Sequence, residues 1–131
     1  MKKKGFTLVS LLVALAILGI LFTYTTMSTS GFIDTLRLKA AVKEVTSALR
    51  AAQAKAIASK QTVKISFSSN KYTVDGRAYR LPGKVKSLKD KEIRFSSSGY
   101  PPVGYSGTLT LTSGKHSKKI IISSHGRIRI E

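Results

Sequence analysis

The chain has 131 residues, no cysteine and a formal charge of +17. That length holds one small domain and an anchor rather than two ordinary domains. The missing cysteines exclude a disulfide framework and a thiolate metal site, so the domain must rest on a single apolar core. Setting aside Lys2, Lys3 and Lys4 leaves +14, all of it beyond Gly31. A balance of that size concerns partners rather than fold: nucleic acid, anionic lipid headgroups or acidic wall polymers.

Lys2-Lys3-Lys4-Gly5 runs directly into an uncharged apolar stretch, residues 6–22. About 17 residues fall slightly short of the roughly 20 that span a bilayer as a helix. Thr23 and Tyr24 extend the stretch, and Tyr24 suits the membrane–water interface. Three lysines before it, and no lysine after it until Lys39, place the remainder outside the cytoplasm by the positive-inside rule. An ordinary signal peptide cut near Ser28-Thr29-Ser30-Gly31 and an uncleaved anchor both fit hydropathy alone. A conventional signal, however, carries its cleavage site after the apolar core, not before it. With Gly5-Phe6 ahead of that core, Lys-Lys-Lys-Gly-Phe-Thr-Leu resembles the class III signal of type IV pilins and pseudopilins.

The resemblance implies that a membrane-embedded prepilin peptidase cuts after Gly5 and methylates the new terminus at Phe6. The apolar segment then stays on the product, first as a membrane anchor and later packed against other pilin subunits in a fibre. Most members of the family carry Glu at the fifth position after the cut, where this chain has Ser10. A carboxylate in hydrocarbon is expensive unless partnered, so it sets register strongly. Ser10 can instead bond back to a helix carbonyl; family members lacking the Glu tend to be low-abundance subunits, so the resemblance implies one of these rather than a bulk pilin.

Residues 23–31 are rich in Thr and Ser and form a weak spot in a long helix. Beyond them, Leu38, Val42, Val45, Leu49, Ala52 and Ala56 recur at steps of four and three, which marks one apolar helical face up to about Ser59. After Lys60 the period becomes two: Val63, Ile65 and Phe67 alternate with polar residues, as in a strand buried on one face. Tyr72 and Val74 follow the Ser69-Asn70 turn, and Asp75-Gly76 is a hairpin signal that requires positive φ. Residues 82–91 read as a charged connection, and Ile93 and Phe95 as a further strand. The paired prolines and the glycines of residues 100–107 exclude a central strand. Residues 108–112 and 118–123 alternate again, and Ser124-His125-Gly126 turns the chain into a last strand over residues 127–131.

The run from Leu49 to Ala58 followed by Val63-Lys64-Ile65 resembles the helix-to-strand join of the FimT/GspH pilin group. So do Ile93-Arg94-Phe95 followed by Gly99, Gly107-Thr108-Leu109-Thr110-Leu111, and the ending from Ile120 to Ile130. The expected fold is therefore α+β and pilin-like, with a long N-terminal helix packed on an antiparallel β-sheet. Its expected parts are a leader peptide (1–5), a transmembrane and assembly helix (6–30) and a globular head (31–131).

In an extended last strand Arg127 and Arg129 project from one face, about 7 Å apart. Ile128 and Ile130 take the other face and anchor the strand, while Gly126 keeps the backbone close to any ligand. Two guanidiniums on a rigid edge suit phosphate, since each offers a planar donor fork. Gly126-Arg127-Ile128-Arg129 is similar to the Gly-Arg-x-Arg ending that FimT-like minor pilins of competent bacteria use in DNA capture. Lys115, Lys118 and Lys119 are the expected helpers.

The six acidic residues are scattered with no paired acid and base. His116 and His125 stand alone in turn-like contexts without ligand spacing. Gly107 to Gly114-Lys115 fails as a phosphate loop, with the wrong spacing and with His116 in place of the required hydroxyl. No catalytic role, metal or cofactor is expected. Three function classes remain: a minor pilin of a DNA-uptake pilus, a minor pseudopilin of type II secretion, and an adhesive subunit binding acidic polymers.

Overall fold

A computed structural model describes Gly5 and residues 7–131, with the side chains of residues 25–30 excepted. Phe6 and the leader lysines lie outside the described residues. The chain orders as α1 (Leu8–Ser59), β1 (Val63–Ser68), β2 (Lys71–Val74), β3 (Arg77–Arg80), β4 (Lys86–Ser87), β5 (Lys91–Phe95), β6 (Gly107–Ser113), β7 (His116–Ile122) and β8 (Ile128–Ile130). It divides into two compact units, residues 1–33 and 34–131.

The first unit is helical from Leu8 onward, and the expected weak spot at residues 23–31 does not break α1. Thr7 caps the helix. Its hydroxyl oxygen accepts the Ser10 amide at 3.4 Å and pairs with the Ser10 hydroxyl at 2.9 Å, satisfying a backbone donor that the first turn leaves open. Ser10 thus bonds to the cap through both its amide and its hydroxyl. The large apolar side chains here, from Leu8 to Phe22, are exposed. Among the described residues no helix is long and apolar enough to cross a membrane. At 1.5 Å per residue, the apolar run over residues 8–22 is about 22 Å long, against a hydrocarbon core of about 30 Å.

In the second unit every member of the expected helical stripe is buried, and Ala41 joins it. Lys60, at φ 53, takes the left-handed conformation that ends many helices. The alternating strand residues Val63, Ile65, Phe67, Ile93, Phe95, Leu109, Leu111, Ile120 and Ile122 form one core with that stripe. Asp75 (φ 50) and Gly76 (φ 85) make the tight turn between β2 and β3.

The α+β class holds, and the strands divide into two four-stranded antiparallel sheets, β3-β2-β1-β5 and β4-β6-β7-β8. The division falls in the segment expected to be a plain connection. Residues 82–91 contain β4, and Val85 just before it is fully buried. Strand β4 pairs with β6 through Lys86↔Thr112 and Ser87↔Leu111. The Ser87 amide also donates to the Ser69 carbonyl at 2.7 Å, which ties the first sheet's β1–β2 turn to the second sheet.

Tyr72 is buried between Phe67 and Tyr79, with ring centroids 5.9 and 5.3 Å away, and its hydroxyl donates to Glu44 Oε1 at 2.9 Å. Burial first, and the Glu44 carboxylate second, raise its pKa well above the ordinary phenol range. A folded-state pKa raised above the unfolded one gives stability that is complete below about pH 10 and is lost as pH rises further. Tyr72→Phe keeps both ring contacts. Its urea midpoint is expected to fall less than the wild type's between pH 9 and pH 11, and equal falls would show that Tyr72 does not titrate with unfolding.

Candidate nucleic-acid interface

Strand β8 lies at the edge of the second sheet and pairs with β7 through Ile120↔Ile130, Ile121↔Arg129 and Ile122↔Ile128. Directly opposed residues share a sheet face. Ile120 and Ile122 point into the core, so Ile128 and Ile130 share that side while Arg129 projects outward beside Ile121. Alternation puts Arg127 and Lys119 on the outer face as well, with Thr108 and Thr110 of β6. The structure thus brings Arg127, Arg129 and Lys119 together on one exposed surface.

Two of the expected helpers lie elsewhere. Lys118 opposes the buried Leu111 and so projects from the helix-facing side of the sheet. Lys115 sits in the β6–β7 turn after Gly114, where an added Cβ would lie 2.9 Å from Asp34 Oδ2. A carboxylate therefore stands near that turn. Another is Glu131, whose backbone exchanges two 2.8 Å hydrogen bonds with Lys119 and whose side chain shares the outer face. Its position follows from the register of β7 and β8.

Two further expectations change. Ile130 is 50% exposed and does not anchor the strand, whereas Ile128 packs against the core. Gly126 is buried, so its backbone faces the protein interior rather than a ligand. Gln53 of α1 makes this arrangement: its Nε2 donates to the Gly99 carbonyl at 2.8 Å and to the Gly126 carbonyl at 3.1 Å. One side chain thereby holds two turns together. At Gly126 (φ 74) an added Cβ would lie 2.7 Å from the Gly99 carbonyl oxygen and 2.6 Å from Gln53 Nε2. The turn is closed by Gly126 N–H to the Ser123 carbonyl at 3.0 Å and by Arg127 N–H to Ser123 Oγ at 3.1 Å. The arginines are therefore mounted on a strand whose entry is fixed from inside. Gln53 contributes through contacts far apart in sequence and left no local signal.

Four of the six acidic residues are engaged with named partners. Asp75 pairs with Lys55 at 2.6 Å, and Glu92 holds Lys64 at 3.0 Å and Arg94 at 2.6 Å. The hydrogen bonds from these cations pull both carboxyls below their usual range. Asp34 pairs with Arg37 and Glu44 accepts from Tyr72. Among the described residues no three His, Cys, Asp or Glu side chains gather as a metal site. Gly107 opens β6 and Gly114 sits in a hairpin turn, so no helix N-terminus follows to cradle a phosphate.

A helix whose apolar face covers small antiparallel sheets, behind an apolar N-terminal run, defines a pilin-like subunit. The chain belongs to the GspH family, described as type II transport protein GspH, which matches residues 41–126. The prokaryotic N-terminal methylation motif matches residues 1–25. The fold is similar to that of the type IV minor pilin FimU of Pseudomonas aeruginosa in two crystal forms. The first has a TM-score of 0.62 at 16% identity and covers 76% of this chain and 92% of that one. The second has 0.59 at 15% identity, covering 72% and 92%. No curated protein matches in sequence.

Proposed function

We propose that this chain is a minor subunit of a DNA-uptake pilus and that the outer face of β6–β8 binds DNA without sequence preference. The observation that carries the reading is the outward register of Arg127, Arg129 and Lys119 on one sheet face, with Glu131 paired beside Lys119. Guanidiniums fixed on a strand meet phosphate through paired donors, and such contacts position a duplex without reading bases. Gly126 serves the face by holding its turn, and Lys115 and Lys118 lie off it. Gel-shift titration of the full chain in detergent against unrelated duplexes tests the reading. Equal affinities across sequences support it, and the absence of any shift at low salt removes it.

A second reading is a minor pseudopilin, and the specific observation in its favour is the family's own description as a type II transport protein. Both readings share one biogenesis: cleavage between Gly5 and Phe6, methylation of Phe6, insertion of the apolar helix in the inner membrane, and assembly with other subunits into a fibre outside the cytoplasm. The apolar run is short for a bilayer, and such a helix is accommodated by local thinning of the bilayer. The exposed apolar side chains of the first unit are the surface that lipid and then neighbouring helices would cover. Membrane-purified protein is expected to have the intact mass of a chain starting at N-methylated Phe6. A start near Gly31 would instead mean an ordinary signal peptide and no retained helix.

A further inference from the structure

A groove of about 450 Å³ runs between α1 and the β7–β8 pair, on the side of the sheet opposite to Arg127 and Arg129. Lys39, Lys43 and Arg50 of α1 and Lys118 of β7 line it, with Val42 and the half-exposed Ile130 supplying apolar surface. Among the described residues none of these four cations is in an ion pair. Lys39 and Lys43 stand one helical turn apart, a spacing at which like charges repel. Thr46 also lines the groove, and its hydroxyl is buried with no hydrogen-bond partner. A buried hydroxyl left unbonded is unfavourable in the free protein.

Ile130 belongs equally to the free edge of β8. Lys119 and Glu131 exchange a pair of backbone bonds and the Ser123 N–H donates to the Arg127 carbonyl, so by antiparallel alternation the bonds between β7 and β8 also fall at Ile121 with Arg129. The N–H and C=O groups of Ile128 and Ile130 therefore point away from β7. Among the described residues no strand lies beyond β8 in the sheet. An edge of this kind is a template for a further strand, and here its neighbouring surface is apolar at the centre and positive around it.

We propose that the edge of β8 and the cationic groove beside it form a strand-addition site for an extended acidic segment of a partner protein. The segment pairs its backbone with Ile128 and Ile130. Its inward side chains lie against Ile130 and Val42, and its carboxylates meet Lys39, Lys43, Arg50 and Lys118. The main-chain bonds supply affinity, while the positive groove selects an acidic sequence over a basic one. Two ligands could then occupy the two sides of one short strand, with DNA on the outer face and protein on the edge and inner side.

The test uses the full chain in detergent micelles and a synthetic capped peptide of alternating Glu and Val, with a Lys–Val peptide as its counterpart. The Glu–Val peptide is expected to bind, with affinity falling as salt rises, and to slow amide exchange at Ile128 and Ile130 at least tenfold. The Lys–Val peptide is expected not to bind. Ile130→Pro removes an N–H that β7 does not use, and it should weaken peptide binding at least tenfold while DNA binding by the outer face persists. A Glu–Val peptide N-methylated at alternate backbone positions should lose binding to the wild type, which keeps the test decisive if Ile130→Pro fails to fold. Equal binding of the methylated peptide, or of a folded Ile130→Pro variant, would overturn strand addition. So would absence of peptide binding together with a loss of DNA affinity in a Lys43→Gln/Arg50→Gln variant, because the groove would then belong to the nucleic-acid surface.

Discussion

Leu49→Ala is expected to lower the unfolding free energy by about 2–5 kcal/mol. Leu49 is fully buried at the centre of the inward stripe of α1, between Val45 and Ala52, in the core that both sheets share. Truncation removes the transfer free energy of its methyl groups. It also leaves a cavity that the surrounding β-branched residues, with their restricted rotamers, can only partly fill. Urea unfolding of the full chain in mild detergent reads the effect. Lys39→Ala, at an exposed position on the same helix, should stay within about 0.5 kcal/mol of wild type. A Leu49→Ala loss no larger than that of the surface control would show that this helical face is not packed against the sheets.

Gly126→Ala is expected to cost about 2–4 kcal/mol, for two separate reasons. A side chain at φ 74 is in the left-handed region that L-residues other than glycine enter only at a penalty. The new Cβ would also lie 2.7 Å from a main-chain oxygen, that of Gly99, which cannot swing aside as a flexible side-chain end does. Relief requires the 123–126 turn to move away from the 96–99 turn, and this pulls both carbonyls from Gln53. Gln53→Ala leaves the same two carbonyls without their donor, so the two substitutions are expected to be less than additive in combination. Wild-type stability in Gly126→Ala, or simple additivity with Gln53→Ala, would contradict the clamp.

The sequence made the core legible because local geometry imposes its own period. Leu38, Val42, Val45, Leu49, Ala52 and Ala56 follow the helical repeat, and Val63, Ile65, Phe67, Ile93, Phe95, Leu109, Leu111, Ile120 and Ile122 follow the alternation of a pleated strand; the structure buries all of these. Asp75-Gly76 was legible for the same reason, since few residue pairs tolerate two consecutive positive φ values. The division into two sheets was not legible. It depends on β4, two residues long within a charged stretch, and on the bond from Ser87 to Ser69, neither of which has a periodic signature. The site was legible only in part. The common face of Arg127 and Arg129 follows from strand geometry, whereas the inward face of Lys118 and the proximity of Glu131 to Lys119 appear only once β7 and β8 are in register. The half-exposure of Ile130 reflects an edge position with no further strand to cover it. Gln53 bridges positions 46 and 73 residues away, and no local pattern encodes contacts of that range.

The account is tested most directly by the salt dependence of DNA binding by the full chain and by the double variant Arg127→Gln/Arg129→Gln. Phosphate-dominated binding weakens with salt at a log–log slope of about −0.9 for each phosphate neutralised. Removing both guanidiniums is expected to reduce that slope by roughly 2 units and to weaken every duplex alike. Arg127→Lys/Arg129→Lys, which keeps the charge and loses the planar fork, should fall between the two. A double glutamine variant that binds DNA with wild-type affinity and slope would contradict the account, leaving the outer face of β8 a solvated surface.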